Sequence, residues 1–322
     1  MSVGRGARRL ARRVLPRAVV DTLRSPPGFD NAYPWLTHAF ARVVRDRRCA
    51  LRPQYAWGAL QAAALARVLG VPRISLLEFG VAGGYGLLAL ECAAMAAQRM
   101  TGVGIDVVGF DSGAGLPPPQ DYRDQPNMWF EGQLPMERAK LEGALSVASL
   151  RVGPVAQTLP AFLAAGPAPV AFAAFDLDLY SSTRDALEVF AADLGLLMPR
   201  VLAYFDDIFG YTYNEFCGER LAIREFNRRG PHRKVCPVHG LRYFLPRSTF
   251  HDLWPDGMHW AHLFRHPRYG TLDSHRKPMF MDIHGTYVEA HPDRRRQDRR
   301  RPAASVRPGR GERRTWTRRS AR

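Results

Sequence analysis

Long apolar runs are absent from this 322-residue chain: no stretch of eighteen apolar residues occurs, so nothing in it reads as a transmembrane helix. A secretory signal is not legible either, because arginines interrupt the N-terminal segment where an unbroken apolar stretch and a cleavage site are needed. Ala7 to Leu23 has the pattern of an amphipathic basic helix, as in a transit peptide or on a membrane surface, but Pro16 interrupts it. Cysteine is scarce as well. Cys49, Cys92, Cys217 and Cys236 show no C-x-x-C spacing, and Cys92 falls in an apolar helical pattern, so neither a zinc site nor a disulfide framework is indicated. A soluble protein of the reducing cytoplasm is the expectation. No internal repeat is apparent.

Acidic charge is in the minority: 30 Asp and Glu face 46 Lys and Arg, a net +16 at pH 7. The excess is confined to the ends. Residues 1 to 24 hold seven Arg and one Asp, residues 294 to 322 hold thirteen Arg against Asp298 and Glu312, and the remainder sums to −1. Such tails read as disordered, solvated segments, or more sharply as loose, salt-sensitive attachments to nucleic acid or anionic lipid. With a body near neutrality, no specific nucleic-acid binding is expected. The expected organisation is a basic, flexible segment over 1–29, a folded domain over 30–245, a His- and aromatic-rich extension packed on it over 246–293, and a disordered Arg-rich tail over 294–322.

The chain is organised around Ile74 to Gly86, ISLLEFGVAGGYG, in which an apolar run and Glu78 lead into Gly80, Gly83, Gly84 and Gly86, with a helix following over Leu87 to Ala97. Strand, glycine turn and helix in that order suit a nucleotide-type cofactor, because glycines let the backbone approach the ligand and the helix N-terminus offers free N–H groups. The spacing G-x-x-G-G-x-G is neither G-x-G-x-x-G nor a P-loop, so pyrophosphate is not the expected ligand.

Helices are expected upstream over Trp35 to Val44 and Gln54 to Leu69, the second closed by Gly70 and Pro72. Downstream, Val107 to Phe110 reads as a strand stopping at Asp111, placed to receive two ribose hydroxyls. The segment from Asp121 to Met136 is too long for a simple connection, and its Met128 and Trp129 would cover the cofactor or plug the surface. Leu150 to Val152 and Val170 to Phe175 are strands, with helices over Thr158 to Ala165 and Thr183 to Leu194, then a strand over Val201 to Phe205. A helix over Tyr213 to Arg229 and a hairpin of Lys234 to Val238 with Leu241 to Leu245 complete the pattern. His259 and His262 would meet a metal if helical, but no third ligand is placed by spacing, so packing is their reading. The alternation gives an α/β fold: a doubly wound, Rossmann-like, mostly parallel sheet with helices on both faces and extensions at both ends.

Asp176, Asp178, Asp206 and Asp207 follow directly on two buried strands, and parallel neighbours would bring them to one edge. Carboxylates so placed repel one another, so the cluster would hold a hard divalent cation, Mg²⁺ being the natural one, or share protons; capping of the next helix by Asp178 is the blander reading.

The E-x-G-x-x-G-G loop resembles motif I of class I S-adenosylmethionine (SAM) methyltransferases. The strings LLEFGVAGGYG, VVGFDSGAGLP, AFDLDLYSSTRDALEVF and VLAYFDDIFGY, in this order, resemble more specifically the macrocin O-methyltransferase (TylF-like) family of metal-dependent sugar methyltransferases. The resemblance covers Ile74 to Tyr211 and implies the class I SAM methyltransferase fold. It implies SAM held by Glu78, Phe79, Gly80, Ala82, Gly83, Gly84, Tyr85, Asp111 and Ser112, Mg²⁺ on Asp176, Asp206 and Asp207, and Asp178 as general base. The implied substrate is a hydroxyl of a glycosylated natural product or glycan, with a catechol or other small acceptor as the alternative, and a SAM-fold binding module without catalysis as the reading from another class. Where the family often carries Pro-Gly-Gly before the paired Asp strand, this chain has Leu197-Met198-Pro199-Arg200. Nucleic-acid amino methylation lacks its N/D-P-P-Y motif. Open from sequence are a homo-oligomer and whether Glu215 or Glu219 joins the metal shell.

Overall fold

Six consecutive apolar residues, Val170–Phe175, can be satisfied only by burial on both faces, and they form the central strand β4, every residue of which is buried. A computed structural model describes residues 32–210, 213–245, 251–270, 279–281 and 287–289. In chain order these are α1 Ala32–Val43, α2 Arg47–Ala50, α3 Pro53–Val68, β1 Arg73–Phe79, α4 Tyr85–Thr101, β2 Gly104–Asp111, α5 Arg138–Ala144, β3 Ser149–Val152, α6 Val155–Ala164 and β4. They continue as α7 Tyr180–Ala186, β5 Leu197–Phe205, α8 Gly218–Arg228, β6 Arg233–Pro237, α9 Trp254–Gly257, β7 Met258–Leu263, β8 Met279–Met281 and β9 Tyr287–Glu289.

The main sheet has seven strands in the order β3-β2-β1-β4-β5-β7-β6. Strands β1 to β5 run parallel, and β7 is antiparallel to both β5 and β6. This is the expected Rossmann-like, mostly parallel sheet. Its core includes α3, which lies so close to β4 that a Cβ on Gly58 would sit 2.4 Å from the Phe172 ring. Residues 274–322 are a separate unit, in which β8 pairs antiparallel with β9. Among the described residues no helix is long and apolar enough to cross a membrane.

Register decides what the sheet can do. Phe110, Phe79, Phe175 and Phe205 are paired across four strands, and their rings stack with centroids 4.8, 5.2 and 4.6 Å apart. The residues that follow them, Asp111, Gly80, Asp176 and Asp206, therefore leave the sheet side by side. Backbone bonds extend the ladder by one step: Gly80 N donates to Phe110 O, Asp176 N to Phe79 O and Asp206 N to Phe175 O, at 2.9, 2.9 and 3.0 Å.

Several expectations are corrected. The hairpin over 234–245 does not form; β6 pairs instead with β7, and Leu241–Phe244 is a single 3₁₀ turn. Because β7 also pairs with β5, the sheet runs past residue 245 into the stretch expected to be an extension. The helix expected over 183–194 starts earlier at Tyr180 and gives way to a 3₁₀ segment at Leu187, and the helix expected from Tyr213 begins at Gly218. Cys49 and Cys92 form a disulfide, with Cα atoms 5.8 Å apart, where the sequence indicated no disulfide framework. Spacing in sequence could not report it, since the partners lie 43 residues apart and meet only because α2 packs on α4. Cys217 and Cys236 are free.

Candidate active site

The turn after β1 is shaped by how closely it passes the next strand. Gly80 has φ +85°, and a Cβ there would fall 1.7 Å from the carbonyl oxygen of Asp176, so only glycine fits. Gly86, in the first turn of α4, faces Glu78: a Cβ would lie 2.1 Å from its Oε1. Asp111 clamps this turn from β2. Its Oδ2 accepts from Val81 N and Ala82 N at 2.9 Å each, and its Oδ1 accepts from Gly113 N at 2.7 Å. Three of about four acceptor positions are thus committed, which leaves room for one ribose hydroxyl where two were expected. Ser112 Oγ closes the following turn by donating to Gly115 O at 2.6 Å.

A cavity of about 400 Å³ opens at this edge, within the range of small-molecule sites. Glu78, Gly80, Ala82, Tyr85, Asp111 and Ser112 line it, as do Asp176 and Asp178. Three expected residues are not brought to it. Phe79 is fully buried in the aromatic stack, Gly83 faces open space, and Gly84 packs against α5, where a Cβ would be 2.3 Å from Leu141. Met128 and Trp129 do not line it either; Leu134 of the same long segment does, as does Gln120 just before it. That segment is pinned by buried Asp124, which accepts from Ser181 N and Ser181 Oγ at 2.7 and 3.0 Å.

Glu78 is buried on the cavity wall. Tyr55 Oη donates to its Oε1 at 2.9 Å, while Oε2 is buried with no partner. Burial raises its carboxyl well above the ordinary range, against the Tyr55 hydrogen bond, and nearby Asp176 raises it further. An unsatisfied buried acceptor of this kind calls for a donor, preferably a cationic one.

Beside the cavity, Asp176, Asp206 and Asp207 each place a carboxylate oxygen so that the three lie within 4.8 Å of one another. Asp178 is buried next to them at φ +63°, and its N–H donates to Asp207 Oδ2 at 3.0 Å. Burial first, then repulsion from Asp206 and Asp207, pushes Asp176 up to about 8; burial, then Asp176 and Asp206, pushes Asp178 up to about 7. Asp207 is driven well above its usual value by burial and by Asp178. Glu219, fully buried, accepts from Asp207 N at 3.0 Å and stands behind the cluster, whereas Glu215 is exposed and pairs with Arg220. Neither belongs to the group of three. His259 and His262, three apart on a strand, point to opposite faces: His259 Nδ1 lies 2.8 Å from Gly257 O and His262 Nδ1 2.8 Å from Tyr269 Oη, so both serve packing.

Sequence reasoning missed a cation at the site. Arg52 reaches from the residue before α3 to donate through Nη2 to Asp176 Oδ2 at 2.7 Å and through Nη1 to Asp206 Oδ1 at 2.9 Å. It also missed two tyrosines: Tyr204 Oη donates to Asp206 Oδ1 at 2.7 Å and Tyr213 Oη to Asp207 Oδ1 at 3.2 Å. No local pattern marks any of the three, because each meets its partner only through the fold.

No family model and no curated protein matches the sequence. Among solved structures, the chain is similar to CalS11, a calicheamicin methyltransferase, at 22% identity over 64% of this chain and 88% of that one, with a TM-score of 0.43. It is similar to the O-methyltransferase NovP at 17% identity over 65% and 80%, TM-score 0.44. A third is TomG, an O-methyltransferase of Streptomyces achromogenes involved in tomaymycin synthesis and solved with SAM, at 17% over 62% and 81%, TM-score 0.31. Likeness of this order is slight, and the fold rests on the chain's own strand order and register: a Rossmann-like sheet that delivers a glycine turn and a group of acids to one edge.

Proposed function

We propose that the chain is a SAM-dependent O-methyltransferase that uses a divalent cation and methylates a hydroxyl of a sugar. One observation carries the reading: the in-register edge sets a cavity walled by Glu78, whose Oε2 is unsatisfied, directly against half-buried Asp176 and buried Asp178. Glu78 Oε2 suits the ammonium of SAM, the turn after Gly80 admits its ribose, and Asp111 keeps that turn in place while accepting one hydroxyl. Asp176, Asp206 and Asp207 form a hard-oxygen donor set of the kind Mg²⁺ prefers, and they would hold it. The ion, when bound, supplies acidity to a coordinated hydroxyl and orients it.

The chain's own residues do the rest. Asp178, buried beside the cluster and held by its N–H to Asp207, is placed to accept the hydroxyl proton. Bound SAM would supply the methyl group to the acceptor oxygen, its sulfur–methyl bond breaking with the electron pair left on sulfur as S-adenosylhomocysteine (SAH). Catalysis is otherwise positioning: Gly80 lets the turn pass close to Asp176, Gly86 leaves room for Glu78, and the aromatic stack beneath fixes the four strand ends. The sugar acceptor is supported by the resemblance of the motifs from Gly109 to Pro117 and from Asp176 to Thr183.

Calorimetric titration with SAH tests the cofactor. Micromolar binding that is lost in Gly80→Arg is expected, and no binding to the native chain would overturn the reading. Methyl transfer to sugar diols, abolished by chelator, is the expected activity; transfer to catechols and not to sugars would replace the acceptor.

A further inference from the structure

Arg52 is bonded in an unusual way. Its two terminal nitrogens go to two different carboxylates on adjacent strands, Asp176 after β4 and Asp206 after β5, and these are two of the three that converge for a cation. The guanidinium thus occupies charge space that a divalent ion needs. Beyond those bonds Nε is buried without a partner, the side chain makes no capping bond to α3, and the head group lies over the rings of Tyr85 and Tyr55, 4.7 and 5.7 Å from their centroids. Arg52 also lines the cofactor cavity, and among the described residues it is the only basic side chain that does. An amino-acid carboxylate entering beside Glu78 would meet its guanidinium there.

We propose that Arg52 is an exchangeable counter-ion: it neutralises Asp176 and Asp206 while the cation seat is vacant, and on metal entry it turns into the cavity to pair with the carboxylate of the cofactor. This inference rests on the SAM reading above. Its physical content is a coupling. Metal pays for removing Arg52 from two carboxylates, and a cofactor carboxylate lowers that cost by giving the guanidinium a second partner. Cofactor and metal therefore strengthen each other's binding, reciprocally, by an amount typical of coupled sites, about 5- to 150-fold. A fork of two N–H donors is needed for the present arrangement, so lysine is not an equivalent residue.

The test measures Mn²⁺ binding to the full chain by electron paramagnetic resonance, with and without saturating SAH, in the native protein, Arg52→Gln and Arg52→Lys, with Asp206→Asn as the control for the seat. For the native chain, SAH should tighten Mn²⁺ at least about fivefold. In Arg52→Gln, Mn²⁺ alone should bind roughly tenfold tighter than in the native chain, SAH should add less than about twofold, and SAH itself should bind more weakly. Arg52→Lys should fall between the two, and it serves if the Gln variant does not fold. Mn²⁺ affinity no higher in either variant than in the native protein, or coupling to SAH that survives unchanged, would overturn the exchange while leaving the methyltransferase reading in place. Failure of SAH to bind the native chain is the separate result that removes that reading and the inference with it.

Discussion

Asp178 is held where few non-glycine residues sit, at φ +63°, buried and bonded through its N–H to Asp207. Asparagine tolerates that left-handed backbone better than other residues do, so Asp178→Asn removes the charge while keeping the turn. Its kcat should fall roughly hundred- to ten-thousandfold, the span of a lost general base, with SAH affinity unchanged; single-turnover rates and calorimetry check the two halves. The glycines of the turn make a second contrast. Gly86→Ala places a Cβ against Glu78, an overpacking that costs about 1–3 kcal/mol and should weaken SAH binding roughly tenfold. Gly83→Ala meets nothing within 4 Å and should bind SAH as the native chain does. The sequence motif treats Gly83 and Gly86 alike, because a spacing shows that glycines recur and not which of them face the ligand. The acids were legible for the opposite reason: each follows directly on an apolar run, so strand geometry alone carries them to the edge. Arg52 was not, lying 124 and 154 residues from its two partners.

At the scale of elements, the buried parallel strands announced themselves by composition, and β4 falls on the residues expected. What failed were pairings between segments. Lys234 to Val238 was matched to the nearest following segment, yet its partner β7 comes some twenty residues later, where MHWAHL mixes histidines into a strand and hides its alternation. The disulfide between α2 and α4 belongs to the same class of long-range fact. It ties the turn that carries Arg52, three residues after Cys49, to the helix that follows the glycine turn. Cross-linking a segment of 43 residues restricts the unfolded chain, an effect of about 2–4 kcal/mol. Reduction, or the Cys49→Ala and Cys92→Ala double replacement, should lower stability by about that amount in denaturant titrations. No difference between oxidised and reduced protein would mean that the packing of α2 on α4 holds without the bond.

For the molecule as a whole, charge divides into Arg-rich ends and a body of −1 that carries the acidic cluster, so the net +16 says little about the site. The cluster does set how stability responds to pH. Asp176 and Asp178, raised to about 8 and about 7 chiefly by burial, keep protons in the folded chain that the unfolded chain has released. Their contribution therefore opposes folding increasingly as pH rises from about 4 toward 8, until a divalent cation takes up the charge. His259 acts in the other direction. Burial pushes it down to about 4, so between there and its ordinary value of 6.5 the unfolded state binds the extra proton. Its contribution is complete above pH 6.5 and is lost as pH falls toward 4, a change of about 3 kcal/mol for a shift of this size. The two slopes overlap in that window, and a stability curve of the native protein alone would show only their sum. Subtracting the curve of His259→Gln separates them, because the carboxylates are common to both proteins. The difference, native minus variant, should rise by about 3 kcal/mol from pH 4 to pH 7 and stay flat above; a difference that is level throughout would mean that His259 carries its proton in the folded state.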